Sequence, residues 1–108
     1  MMVSTGVISD TSYTSAKAGG QIIDLGEGAT KHGHCYSKIL NMLLTNKGLK
    51  TELGIPDTGR FTSKLEDLEV ETVYFVKAYL SNGTDTIYGE LTSFKTDPEN
   101  TIRDIDGN

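Results

Sequence analysis

The chain has 108 residues, a formal net charge of −5 and one cysteine. That length fits a single domain able to bury a core unaided, and a lone cysteine leaves no intrachain disulfide. The acidic balance argues against nucleic acid, whose phosphates call for a basic surface, and no apolar run approaches the ~18 residues of a membrane helix.

No secretory signal pattern opens the chain, and strand-like sequence starts at once, as at a domain edge. Residues 3–9 read as a first strand and residues 10–15 as a polar turn. Residues 16–24 put Ala16, Ala18, Gly20 and Ile22 on one face, small enough for an opposing sheet to approach closely. Gly19-Gly20 weakens that strand and marks a candidate bulge. Asp24-Leu25-Gly26-Glu27-Gly28 is a turn. Residues 29–37 form the next strand, but its parity is open: either Gly33 and Cys35 or His34 and Tyr36 face inward.

Residues 38–53 admit two readings. Ile39, Leu40, Met42, Leu43 and Leu44 suit either a helical turn or an extended cross-connection, because a short apolar run cannot be assigned by periodicity. Ile55-Pro56-Asp57-Thr58-Gly59 is a turn by composition. Phe61, Ser63 and Leu65 then alternate with Arg60, Thr62 and Lys64 as a strand. An acidic turn with Leu65 and Leu68 as anchors feeds a longer strand in which Tyr74, Val76, Ala78 and Leu80 share one face and Lys77 points away. Asn82-Gly83 between apolar runs is a strong hairpin signal. Residues 87–96 return, and Pro98 ends the run because it cannot donate to a ladder. Seven candidate strands match the number of a sandwich.

The run Leu68-x-Val70-x-Thr72-x-Tyr74-x-Val76 resembles the Leu-x-Pro-x-Thr-x-Tyr-x-Val run of fibronectin type III domains, with Val70 where Pro is usual. The resemblance implies an all-β, seven-stranded immunoglobulin-like sandwich over residues 1–96. It also implies a tyrosine corner, with Tyr74 buried and its hydroxyl bonded to upstream backbone. Residues 31–37, Tyr74 to Tyr79, Tyr88-Gly89-Glu90 and Ser93-Phe94-Lys95-Thr96 are similar to segments of the fibronectin-type-III-like repeats of Bacteroidetes-type secreted and surface proteins. His34, where Val is usual, and residues 38–44, where a Pro-containing loop is usual, depart from that pattern. Residues 101–108 resemble the opening of a Fibrobacter-type major paralogous domain, so residues 97–108 are expected to be a linker and the start of a following domain.

Several residues invite functional readings. His32 and His34 share a strand face and, with Cys35, suggest zinc, but Cys35 has the opposite parity and no second ligand pair is visible; no metal is expected. No catalytic or cofactor-binding residue is expected, since nothing supplies Cys35 with a base and an oxyanion hole. Asp104-x-Asp106-Gly107 lacks the spacing of a calcium loop. Asn82-Gly83-Thr84 fits a glycosylation sequon but reads better as hairpin chemistry. Tyr36, Phe75, Tyr79 and Tyr88 are the candidate binding face, able to stack on sugar rings or a protein partner if exposed together. Ordinary cross-strand pairing is the simpler account of them.

The resemblance implies a non-catalytic spacer or adhesion module of an extracellular or cell-surface bacterial protein. Its partners would be the neighbouring domains of the parent chain. The alternative is a module binding carbohydrate or protein through the aromatic face or the loops. Neither reading involves nucleic acid or insertion into a membrane.

Overall fold

The computed structural model describes residues 1–45 and 47–98. The expectations for residues 99–108, including the start of a following domain, lie outside the described residues. The chain forms an immunoglobulin-like sandwich of two antiparallel sheets, the fibronectin type III architecture. Strands β1 (Met2–Ser9), β2 (Ala16–Asp24) and β5 (Gly59–Leu65) form one sheet in the order β1-β2-β5. The second sheet holds β4 (Leu49–Lys50), β3 (Lys31–Ser37), β6 (Val73–Ser81) and β7 (Thr86–Tyr88) in that order, with β8 (Thr92–Lys95) also pairing with β6. A single helical turn, α1 (Leu40–Leu44), joins β3 to β4. Of the two readings of the run from Ile39 to Leu44, the helical turn is the one that forms, and the extended edge lies beyond it at β4.

Alternation builds the core. Ala16, Ala18 and Ile22 of β2 face Tyr74, Val76, Ala78 and Leu80 of β6, and all are buried. The small residues of β2 work as expected. Gly20 lies opposite Phe61, and a Cβ there would sit 2.4 Å from the Phe61 ring. Leu65 is fully buried at one end of this core, so truncating it to Ala is worth about 2–5 kcal/mol of stability. The bulge falls in β1 rather than β2: the register shifts between Thr5 and Ile8, opposite Gly19.

The final strand is broken, not continuous. Two residues of β6, Lys77 and Ala78, oppose three of the returning chain, Gly89, Glu90 and Leu91. The extra residue switches the side-chain parity, as a bulge must. Ile87 faces the core before it and Phe94 faces the core after it, where Phe94 stacks on Tyr74 at 5.9 Å. With β7 and β8 taken as halves of one strand, the sandwich has seven.

The tyrosine corner is formed. Tyr74 is 6% exposed, and its hydroxyl accepts the backbone N–H of Glu69 at 2.8 Å. Thr96 closes the same turn, accepting from the Thr72 N–H and donating to the Glu69 carbonyl. Val70 sits exposed at the turn, so the missing proline leaves these bonds intact.

Met2 and Asp97 lie at opposite ends of the sandwich. Met2 pairs with Asp24 at one end. At the other, the Asp97 N–H bonds the Ser12 carbonyl and the Asp97 carbonyl accepts from Glu71. Asp97 is therefore still tied to the sandwich.

Candidate functional site

The four aromatic residues expected on one face do not share it. Antiparallel partners project to the same side, so the pairs Gly33↔Tyr79, Cys35↔Lys77 and Ser37↔Phe75 define the outer face of the second sheet. Tyr88, opposite Tyr79, joins them. Tyr36 lies opposite Val76 and packs into the core between the sheets. The candidate face is thus corrected to Phe75, Tyr79 and Tyr88, because Tyr36 has the other parity.

That face is covered. Leu43 of α1 packs with Cys35 and Tyr79 as a small third core, against which Phe75 and Tyr88 lie half-buried. The Lys50 ammonium stands 5.3 Å from the Tyr79 ring centroid, and that of Lys77 stands 4.1 Å from the Tyr88 ring centroid. Lys77 also donates to the Leu43 carbonyl at 2.7 Å, which pins α1 to the sheet. Tyr79 is 3% exposed and donates its hydroxyl to the Thr51 carbonyl at 2.6 Å. Burial, and then the Glu52 carboxylate, pushes the Tyr79 phenol up to about 12. Burial likewise raises the Cys35 thiol, so it is held protonated under Leu43 and does not supply a nucleophilic thiolate.

The second cluster is polar and lies between the sheets. The inward set on β3 is His32, His34 and Tyr36, which settles the open parity; both faces of β3 are buried, one by the core and one by α1 and β4. His34 is wholly buried. Its Nε2 lies 2.6 Å from the Gly19 carbonyl, so Nε2 carries the proton and donates. Its Nδ1 then accepts from the Ser63 hydroxyl at 2.7 Å. The Ser63 Oγ in turn accepts from the Thr51 hydroxyl at 2.8 Å, and Thr51 Oγ1 accepts the His34 backbone N–H at 2.8 Å. The four bonds join β2, β3, β5 and the edge segment after β4. His32 reaches the same segment, with Nδ1 2.9 Å from the Gly54 carbonyl.

This arrangement has the atoms of a serine–histidine pair but not the chemistry. Ser63 and His34 are both fully buried, so a substrate carbonyl cannot approach the hydroxyl. His34 is held neutral below the usual imidazole range, mainly by burial and further by the charge of His32, against the opposing pull of the Gly19 carbonyl. Nor do His32 and His34 present a chelating pair, since both His34 ring nitrogens already have partners. Among the described residues no three His, Cys, Asp or Glu side chains converge as metal ligands. Sequence reasoning missed Ser63 and Thr51 altogether. The usable signal was a serine at an inward position of β5, on the same face as Phe61 and Leu65.

Comparison with known proteins agrees with the fold. No protein-family model matches the chain, and no curated protein matches it. Solved structures do. The sensor domain of the anti-sigma factor RsgI4 in Pseudobacteroides cellulosolvens superposes with a TM-score of 0.70 at 16% identity in its longer form, covering 99% of this chain and 96% of that one. The shorter form gives 0.68 at 18% identity, over 90% and 94% of the two chains. A fibronectin type III domain derived from the human KIAA0970 protein gives 0.61 at 17% identity, over 97% and 78%. Identities this low carry the sandwich architecture and no more. Among the described residues no helix is long and apolar enough to cross a membrane.

Proposed function

We propose that this chain is a non-catalytic spacer or adhesion module in a multidomain bacterial surface or secreted protein, positioning the domains that flank it. The observation that supports this most directly is the placement of Met2 and Asp97. Met2 and Asp97 sit at opposite ends of the sandwich, so flanking domains would be held in line, about one strand length apart. A nine-residue strand such as β6 spans roughly 30 Å. The neighbouring domains of the parent chain are the partners this geometry serves. The likeness to a domain described as a sensor is one of fold, and the role given to that domain is not carried over.

A carbohydrate- or protein-binding role for the aromatic face has less support. Sugar stacking needs free ring faces, whereas Tyr79 and Tyr88 each have a lysine ammonium over the ring and Tyr36 points into the core. The reading is tested by placing one reporter domain on each side of residues 1–98 and measuring the distance between them by pulsed electron resonance. A narrow distribution at about one domain length is expected. A broad distribution, or a short distance from reporters folded side by side, overturns it.

A further inference from the structure

We propose that His34 is an acid-sensitive latch that holds the edge segment, residues 51–54, against the sandwich and lets it go when the imidazole is protonated. Both histidines of the chain grip this one segment. The segment continues β4 along the edge of β3: the Thr51 N–H bonds the His34 carbonyl and the Leu53 N–H bonds the His32 carbonyl, each at 2.9 Å. Its side-chain anchorage runs through Thr51 Oγ1, which takes the His34 N–H and gives its own proton to Ser63.

The direction of these bonds makes the network sensitive to one proton. With Nε2 donating to Gly19, Nδ1 has to accept from Ser63, Ser63 from Thr51, and Thr51 from the His34 backbone. A proton on Nδ1 turns that acceptor into a donor. Of the Ser63 and Thr51 hydroxyl protons, only one can then fill the bond between the two oxygens, and the other loses its acceptor in the network. The imidazolium itself would lie in a wholly buried site.

Among the described residues no carboxylate faces it from any element packed against it. The Gly19 carbonyl faces it from β2, and Ser63 and the Phe61 ring face it from β5. Ala78 lies opposite it on β6, and His32 is the titratable neighbour on β3 itself. On the edge segment, Lys50 is turned to the outer face over Tyr79, and Glu52 pairs at the surface with Lys31. The titratable neighbour, His32, opposes a charge on His34 and does not offset it. Release of the segment relieves the site by admitting water, and it uncovers the edge of β3.

The test is amide hydrogen exchange on the whole chain, read by NMR residue by residue and divided by the intrinsic rates, between about pH 7.5 and about pH 5. One proton taken up on opening makes protection of the Thr51 and Leu53 amides fall by up to about tenfold per pH unit, while the amides of central strand β6 keep theirs. The same samples report the His34 ring shift, which is expected to titrate below about pH 6.5, at the acid end of the interval in which protection is lost, because the closed state binds the proton less tightly than the open one. His34→Gln leaves a neutral donor at the site and removes the pH dependence. If that variant does not fold, a native chain that loses protection at Thr51 and Leu53 above the midpoint of its ring titration decides for the proposal. Protection at Thr51 and Leu53 that is constant with pH, or falls in step with β6, overturns the proposal. So does an equally steep fall in His34→Gln, or a ring that titrates at or above the ordinary 6.5, since the closed state would then bind the proton as readily as the open one.

Discussion

The Tyr79 hydroxyl meets the Thr51 carbonyl at 2.6 Å directly above Gly33, where any side chain would stand in the way. A Cβ on Gly33 would lie 2.4 Å from that same carbonyl oxygen and 2.6 Å from Thr51 Oγ1. The glycine is thus what lets the edge segment cross low over the sheet, and it couples the outer aromatic face to the buried polar network through one residue, Thr51.

Gly33→Ala is therefore expected to push the segment outward, at a cost of about 1–3 kcal/mol by the usual penalty for overpacking. Urea denaturation measures it. The Tyr79 phenol provides a second reading: freed from its partner and its burial, it should ionise closer to the ordinary value of 10 than to about 12. An alanine variant with native stability and an unmoved phenol titration would show that the crossing does not depend on this glycine.

Tyr74→Phe removes the bond to the Glu69 N–H and keeps the ring that stacks on Phe94. The expected loss is about 1 kcal/mol, the usual net worth of such a bond, at a turn residue that is itself exposed. Equilibrium denaturation with an unchanged slope reads it, and a loss within experimental error would remove the corner from the list of stabilising contacts.

Thr5→Val tests the broken final strand. At the bulge the buried Ala78 N–H turns to the Thr5 hydroxyl at 2.9 Å, while the Ala78 carbonyl takes the Gly89 N–H. Valine has the same shape and no acceptor, so it strands a buried donor at about 1–3 kcal/mol. Thr5→Ser keeps the hydroxyl and should recover most of that. A valine variant as stable as the native chain would show that the bond contributes nothing, and equal losses in the two variants would mean that the methyl serine lacks matters as much as the bond valine lacks.

Stability should fall at both ends of the pH scale for separate reasons. His34 is held below its ordinary 6.5. The unfolded chain therefore takes up a proton first as pH falls. This contribution is whole above about pH 6.5 and shrinks below it toward the folded-state value, by up to about 1.4 kcal/mol per unit. Tyr79 is held above its ordinary 10, so its contribution is whole below about pH 10 and is lost as pH rises toward about 12. Thermal melts across the range trace both limbs. His34→Gln should flatten the acid limb alone, and a melting temperature unchanged between about pH 7 and about pH 5 would contradict the first assignment.

The framework was readable because alternation is local. The inward sets of β2, β5 and β6 follow from one strand at a time, and the corner follows from the spacing of Leu68, Thr72 and Tyr74. What alternation cannot show is a change of phase. The bulge between Tyr88 and Thr92 flips parity, and its one local sign, Gly89, does not say that the phase changes; β3 is buried on both faces, so neither parity is marked by polarity. Tyr36 was misplaced for that reason. The polar network was hidden more deeply, since Ser63, Thr51 and His34 come from three elements and each looks like a surface residue until the others are brought to it.

The end-to-end placement of Met2 and Asp97 also sets how the module would answer a pull. β1 runs away from the end where Met2 enters, and β8 runs toward the end where Asp97 leaves. Tension on the two termini therefore draws β1 along β2, and β8 along β6, parallel to the strands. The ladder bonds on each side are strained together instead of being peeled one after another, and resistance to stretching is governed by the rate at which the whole ladder yields.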